Sequence, residues 1–506
     1  MSTTGIPAGT TTGTTLRTIA GASWEIVIGL EVHVELATRT KLFCGCPNRF
    51  GAEPNTNVCP VCLGLPGSLP VLNGRAVELA LMVGASLHCD VPAASIFHRK
   101  NYFYPDMPKN FQTSQYDEPI CTRGWLEVDG VRVGITRAHL EEDTGKTTHL
   151  GDTGRIHGAG SSLVDYNRAG VPLLEIVSEP DLRSAEHAAA YVEELRALLL
   201  ATGASDVKME EGSMRVDANV SVRLVRSGVF GTRCEIKNMN SIRSVRRAVE
   251  YEAKRQIELL EAGERIVQET RHWNEDEGRT HSMRSKEEAF DYRYFPEPDL
   301  VPVAPTDTMR AAAQAALPEL PGAMRDRLVD SWGISDHDAR VLVDVAGLAP
   351  YAESAVAALA GGSPRDVVHW ATGELLAFLN DSGATVASLL LAPEGLAELV
   401  GVVADGTISR NQAKDVLAEG LRTGEWPAAI VAARGVAQVS DADELSAALD
   451  AVLHANADAV AEYRAGDDKA KKKKRGFLMG EAMKSLQGRG NPQLLNRLLD
   501  EKLASA

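Results

Sequence analysis

The sequence predicts an α+β protein, and three observations predict it. Segments between Trp24 and about Thr308 alternate apolar and polar residues with period two, the pattern of half-buried strands, and are separated by Gly/Pro loops and a few helices. Beyond "FPEPDLVPVAPTD" the composition shifts to Ala, Leu and Val at helical spacing. At 506 residues the chain exceeds one ordinary core, so several domains are expected. The division that follows is a disordered tail over 1–22, an α+β domain over 23–308, a helical domain over 309–383 and a second helical domain over 384–506.

Bulk composition narrows the function classes. Hydrophobic residues make up 44% and charged residues 24%, as in a folded globular chain, and no apolar run is long enough for a spanning helix. A net charge of −16 excludes uniform attraction to nucleic acid, so a polyanionic partner must meet a local basic patch. Seven cysteines, an odd number in a chain whose opening lacks an apolar export signal, point to a reducing compartment and to thiol or metal chemistry. A cytoplasmic location is expected.

Taken in order, the first element is the strand "WEIVIGLEVHVEL". Trp24, Ile26, Ile28, Leu30, Val32, Val34 and Leu36 form one face, and Glu25, Glu31, His33 and Glu35 lie on the other. That second face reads either as a solvated surface or as one wall of a site. Next, "CGCPNRFGAEPNTNVCPVC" sets Cys44 and Cys46 twelve residues before Cys59 and Cys62. Two close thiol pairs suit tetrahedral zinc, and four protein ligands leave no position for substrate, so zinc here is structural. Unligated thiols, or a redox-active Cys59/Cys62 pair, are the competing readings.

Three further strands carry ionisable faces. "ITRAHLEEDTGKTTH" brings Glu141, Glu142 and Asp143, "VPLLEIVSEPDL" brings Glu175 and Glu179, and "DVKMEEGSMRVDANVSVR" brings Glu210 and Glu211 before a strand with Arg215, Asp217 and Asn219 on one face. Neighbouring carboxylates repel unless cations neutralise them, and magnesium takes hard oxygen ligands together with substrate phosphates. Candidate phosphate partners are Arg99, Lys100, Lys208, Arg215 and Lys237. The "GKTT" at Gly145 is no P-loop, because Leu140 stands where that loop needs glycine. A helix follows over "SIRSVRRAVEYEAKRQIELLEAG", with Ser241 as N-cap and Gly263 as terminator. Near the C-terminus, ten Lys or Arg face three acids between Arg464 and Arg497, and Lys471, Lys472, Lys473, Lys474 and Arg475 form the densest run. Such a patch suits a phosphate backbone, or is simply a solvated lysine run.

"VIGLEVHVEL", "RKNYFYPDMPKNFQTSQYD", "ITRAHLEEDTGK", "PLLEIVSEPD", "DVKMEEGSMRVDANVSVR", "DYRYFPEPDLVP" and "GFLMGEAMK…NPQLLNRLL" together resemble the B-subunit family of bacterial aspartyl/glutamyl-tRNA(Asn/Gln) amidotransferases, in order from about Trp24 to the end. The resemblance implies a cradle domain with a glutamine-synthetase-like antiparallel sheet, then helical and tRNA-binding tail domains. It also implies a ligase subunit in a heterotrimer with a glutaminase A subunit and a C subunit. ATP phosphorylates the side-chain carboxylate of misacylated Glu-tRNA(Gln) or Asp-tRNA(Asn), and ammonia displaces the phosphate. Carried over position by position, Glu31, His33, Glu142 and Glu175 are the catalytic metal and phosphate ligands, with Glu141 as a further magnesium ligand. Arg99, Lys100, Lys208, Glu210 and Arg215 serve the nucleotide. The cysteine quartet occurs in only part of the family, so its zinc stands apart from catalysis. Two other readings stay open: a tRNA-docking subunit that holds metal without catalysing, and a stand-alone ligase acting on a free amino acid.

Overall fold

The computed structural model describes residues 16–17, 23–150, 160–225, 227–283, 292–435, 442–486 and 490–505, and most of the expected 1–22 tail lies outside the described residues. The chain divides into two compact units, 1–322 and 323–506.

Among the described residues, unit 1 carries fourteen strands and four helices. The strands are β1 (Leu16–Arg17), β2 (Ser23–Glu35), β3 (His98–Asn101), β4 (Phe111–Ser114), β5 (Cys121–Val128), β6 (Val131–Glu142), β7 (Lys146–Leu150), β8 (Ser161–Asp165), β9 (Pro172–Ser178), β10 (Met214–Leu224), β11 (Cys234–Met239), β12 (Thr270–Asn274), β13 (Arg279–Ser282) and β14 (Phe295–Pro296). The helices are α1 (Gly74–Ser86), α2 (Ala185–Ala201), α3 (Ile242–Glu261) and α4 (Asp307–Ala315). Nine strands form one sheet in the order β13-β12-β11-β10-β2-β9-β6-β5, with β1 paired to β2. Its pairings are antiparallel except β11 with β12. The exception has a cause: α3 lies between those two strands in the chain, and a strand that returns through a crossover helix runs parallel.

Period two decides which face of the sheet is core. Ile28, Leu30, Val32 and Val34 of β2 are completely buried, in one cluster with Leu79 of α1, Leu195 of α2 and Val245 of α3. At roughly 2 kcal/mol per buried aliphatic side chain, that face anchors the strand firmly enough for the other to carry groups that repel each other. Helix α3 follows its sequence signals: Ser241 accepts from the Ser244 amide at 3.0 Å, and Gly263 adopts φ +78° just beyond the end.

Unit 2 is helical. One core gathers Leu328 to Val431, with Trp370, Leu399 and Leu417 among its buried members, and so spans the sequence break at Gly383. A second core gathers Leu445, Leu449, Leu478, Leu495, Leu499 and Leu503. Among the described residues no helix is long and apolar enough to cross a membrane.

Candidate active site

The face of the sheet opposite the helices holds a cavity of about 860 Å³. Strand register builds its floor. Arg215 of β10 lies opposite His33 of β2, His33 opposite Glu175 of β9, and Glu175 opposite His139 of β6, so one rung across four strands reads Arg-His-Glu-His. The next rung toward the start of β2 sets Asp217 against Glu31.

A bulge supplies the rest. The β6–β9 register shifts between Ile135 and Arg137, leaving Thr136 as the extra residue. Before it Val133 and Ile135 face the core, and after it Ala138 and Leu140 do. The slip turns Arg137, His139 and Glu141 into the cavity. One ligand atom from each of His33, Glu141 and Glu175 falls within 4.8 Å of the others. His33 Nε2 is 3.3 Å from Glu175 Oε2 and 3.7 Å from Glu141 Oε1, while His139 Nε2 is 3.4 Å from the same Glu175 oxygen. Glu31 stands beside this group and accepts from Asn219 Nδ2 at 2.8 Å.

Two buried carboxylates this close demand positive charge. Burial alone would raise the Glu175 pKa, but His139, His33 and Lys100 hold it well below the ordinary glutamate range. Glu141 is likewise lowered against burial, first by its bond with His139. Burial opposes a proton on His33, yet Glu175 and Glu141 outweigh it and raise the imidazole to about 9. Carboxylate oxygens with an imidazole nitrogen at this spacing fit a divalent cation, and magnesium, which keeps several waters, needs few protein ligands.

Lys100, Arg137, Arg233 and Lys237 also line the cavity. Burial would discharge Lys100, but Tyr294, Glu141 and Glu175 keep it protonated, and its Nζ lies 4.9 Å from the Tyr292 ring centre. Tyr116 stacks on Tyr294 at 4.3 Å and Tyr102 on Tyr104 at 4.6 Å, giving the cavity an aromatic wall.

Several residues chosen from the sequence lie elsewhere. Glu142 is one residue past Glu141 in an extended strand and therefore points to the other side, where Lys109 and the Thr113 amide bind it in a separate 190 Å³ cavity. Arg99 lines that smaller cavity and makes a two-pronged ion pair with Glu297, both bonds 2.7 Å. Lys208 and Glu210 are exposed in the turn before β10, with Lys208 paired to Glu211 at 3.0 Å. Arg215 shares the floor but spends its guanidinium on Asp143 at 2.7 Å. His139 escaped sequence reading, although its spacing from Glu141 puts both on one strand face.

The four cysteines come together with sulfur atoms within 4.8 Å of one another, Cys59 and Cys62 being 3.8 Å apart. Tetrahedral zinc at a 2.3 Å bond length sets sulfurs about 3.8 Å apart. Hydrogen bonding with Cys44 and the Cys59 amide, aided by Lys41, pushes the Cys62 thiol down to about 5 against burial. The quartet is compatible with structural zinc.

In the basic C-terminal helix, Asp468–Ser485, Lys472 and Lys473 are exposed, Lys474 pairs with Glu462, and Arg475 clamps Asp500 at 2.6 and 2.8 Å.

Residues 26–311 match the family model described as the GatB/GatE catalytic domain, and residues 351–503 match one described as the GatB domain. Proteins named as the B subunit of aspartyl/glutamyl-tRNA(Asn/Gln) amidotransferase are similar over nearly the whole chain. That of Frankia casuarinae is 52% identical, covering 95% of this chain and 96% of its own. Those of Synechococcus sp. strain JA-2-3B'a(2-13) and Carboxydothermus hydrogenoformans are 49% and 50% identical, covering 97% and 95% of this chain and 99% of each relative. With this likeness running through both units, the chain belongs to the B-subunit family of the tRNA-dependent amidotransferases, which are ligases.

Proposed function

We propose that this chain performs the ATP-dependent activation step of tRNA-linked amide synthesis. The side-chain carboxylate of Glu-tRNA(Gln) or Asp-tRNA(Asn) attacks the terminal phosphorus of ATP, and the bond to ADP breaks. Ammonia delivered from a glutaminase A subunit then adds to the acyl carbon, and the bond to phosphate breaks. Activation is needed because a carboxylate would have to expel oxide, whereas an acyl phosphate expels a stable anion. Phosphoryl transfer asks mainly for positioning and charge neutralisation.

One observation carries this reading: Glu31, His33, Glu141 and Glu175 meet at a cavity whose walls also bring Lys100, Arg137 and Lys237. Glu31, Glu141, Glu175 and His33 would hold magnesium, which would neutralise phosphate charge when bound. The basic residues would hold phosphate oxygens, and the buried floor would limit water. Zinc at the cysteine quartet braces the loop beside the sheet. The exposed lysines of the helix at Asp468–Ser485 contribute tRNA contacts, and a C subunit completes a cytoplasmic heterotrimer.

The test is reconstitution with A and C subunits, following ATP- and glutamine-dependent conversion of each misacylated tRNA. Glu175→Gln should abolish conversion and leave tRNA affinity within about twofold. Full conversion by that variant would instead favour a docking subunit whose acids hold metal without catalysing.

A further inference from the structure

The floor of the main cavity continues past Glu31 into a second hollow of about 450 Å³, which shares Glu31, Arg233 and Gln268 with it. Val27, Gly29, Val177, Ser178 and Ser221 are small or flat and form the base of this hollow. Gly29 sits in the middle of a thirteen-residue strand, where glycine weakens the element. Packing does not demand it: a Cβ there would meet its nearest neighbour, Pro180 Cα, at an ordinary 3.7 Å, and its φ is not positive. What the missing side chain preserves is open space above the strand.

Phe230 forms the opposite wall. Its loop is pressed onto β10, since a Cβ on Gly231 would fall 2.1 Å from the Val222 carbonyl oxygen. Phe230 is 60% exposed although it borders a cavity, and the Arg223 guanidinium lies 5.4 Å from its ring centre. At the junction with the acidic cluster, Arg233 is exposed and has no ion-pair partner among the described residues. Asn219 donates to Glu31 and leaves its buried Oδ1 unpartnered. A flat slot with one aromatic wall and amide groups, opening through an arginine onto a cluster that suits phosphates and a cation, has the order of parts of a nucleotide: base, then ribose, then phosphates.

We infer that the hollow between Gly29 and Phe230 is the subsite for the nucleoside of ATP, leaving the tyrosine-lined side of the main cavity to the aminoacyl end of the tRNA. The inference rests on the proposed activation step. Phe230 stacks on the base, Gly29 keeps the floor clear, and Arg233 faces the phosphates nearest the ribose.

Phe230→Ala removes an exposed ring, and Gly29→Val fills the floor from the opposite side. In the reconstituted complex, each should raise the KM for ATP by about tenfold, in line with the loss of one base–aromatic stack, while leaving kcat and the KM for misacylated tRNA within about twofold. Binding of a fluorescent ATP analogue to the same complex should weaken in parallel. An unchanged KM for ATP in Phe230→Ala overturns the assignment, as does a rise confined to the KM for tRNA, which would give the slot to the terminal adenosine of the acceptor strand. Glu175→Gln run alongside separates the two ideas: if it is inactive while the Phe230 and Gly29 variants behave as wild type, only the nucleoside subsite fails.

Discussion

Glu141 and Glu142 are adjacent in sequence and serve different surroundings. Glu141 joins His33 and Glu175, whereas Glu142 is held by Lys109 and the Thr113 amide in another cavity. Sequence alternation could place two such acids on opposite faces, but which of them faces the cavity depends on the bulge at Thr136, which no residue type announces. His139 was missed for the same reason. Glu31, His33 and Glu175 were legible because their strands keep an unbroken period of two through the site. Accordingly, Glu141→Gln should reduce ATP-dependent conversion by at least about a hundredfold while leaving the thermal unfolding midpoint of the chain little changed, checked by ADP release and calorimetry. A second residue-scale prediction concerns Glu252, completely buried on α3 and bonded to Arg255, Gln256 and Thr280. Burial would raise its pKa, but its Arg255 and Gln256 bonds and the nearby Arg271 lower it. A depressed folded pKa means the stabilisation is present above the unfolded value of about 4.3 and fades as pH falls through the folded one. Glu252→Gln should therefore cost on the order of 3 kcal/mol at neutral pH and progressively less in acid, read from urea unfolding at a series of pH values.

At the scale of elements, strands and helices were legible where one face is uniformly apolar, as in β2, β10 and α3. The parallel β11–β12 pair was not, because strand direction follows from the path of α3 and leaves no periodic trace. The cysteine loop was legible from spacing alone. Its four sulfurs arrive from two separated stretches, so removing any one ligand should open the whole loop. Elemental analysis of protein purified without chelator should give about one zinc per chain, and Cys62→Ser should lose it and make the 44–62 segment the first site of protease cleavage. A zinc-free wild type that resists proteolysis equally would remove the metal from the account.

For the whole molecule, composition announced the change from mixed to helical architecture, but not where helices join into cores. The core from Leu328 to Val431 runs through Gly383, since turn residues mark chain reversals and not packing limits. The acidic chain as a whole repels RNA, which gives a local basic face disproportionate weight. Replacing Lys471, Lys472 and Lys473 together with alanine, which spares Arg475 and its clamp on Asp500, should weaken tRNA binding. It should also lower the slope of log affinity against log salt by about one for each phosphate no longer neutralised, measured by filter binding across a salt series. Truncation before Lys469 would be a poorer test, because it also removes Leu478, Leu495 and Leu499 from the C-terminal core.

The bulge at Thr136 has a genetic corollary. Loss of that single codon in frame would restore simple alternation along β6 and exchange its two sides, sending His139 and Glu141 among the aliphatic residues and bringing Ala138 and Leu140 out in their place. Inheritance can therefore vary the identity of residue 136 far more freely than its existence, and length changes on this strand are tolerable only in even numbers.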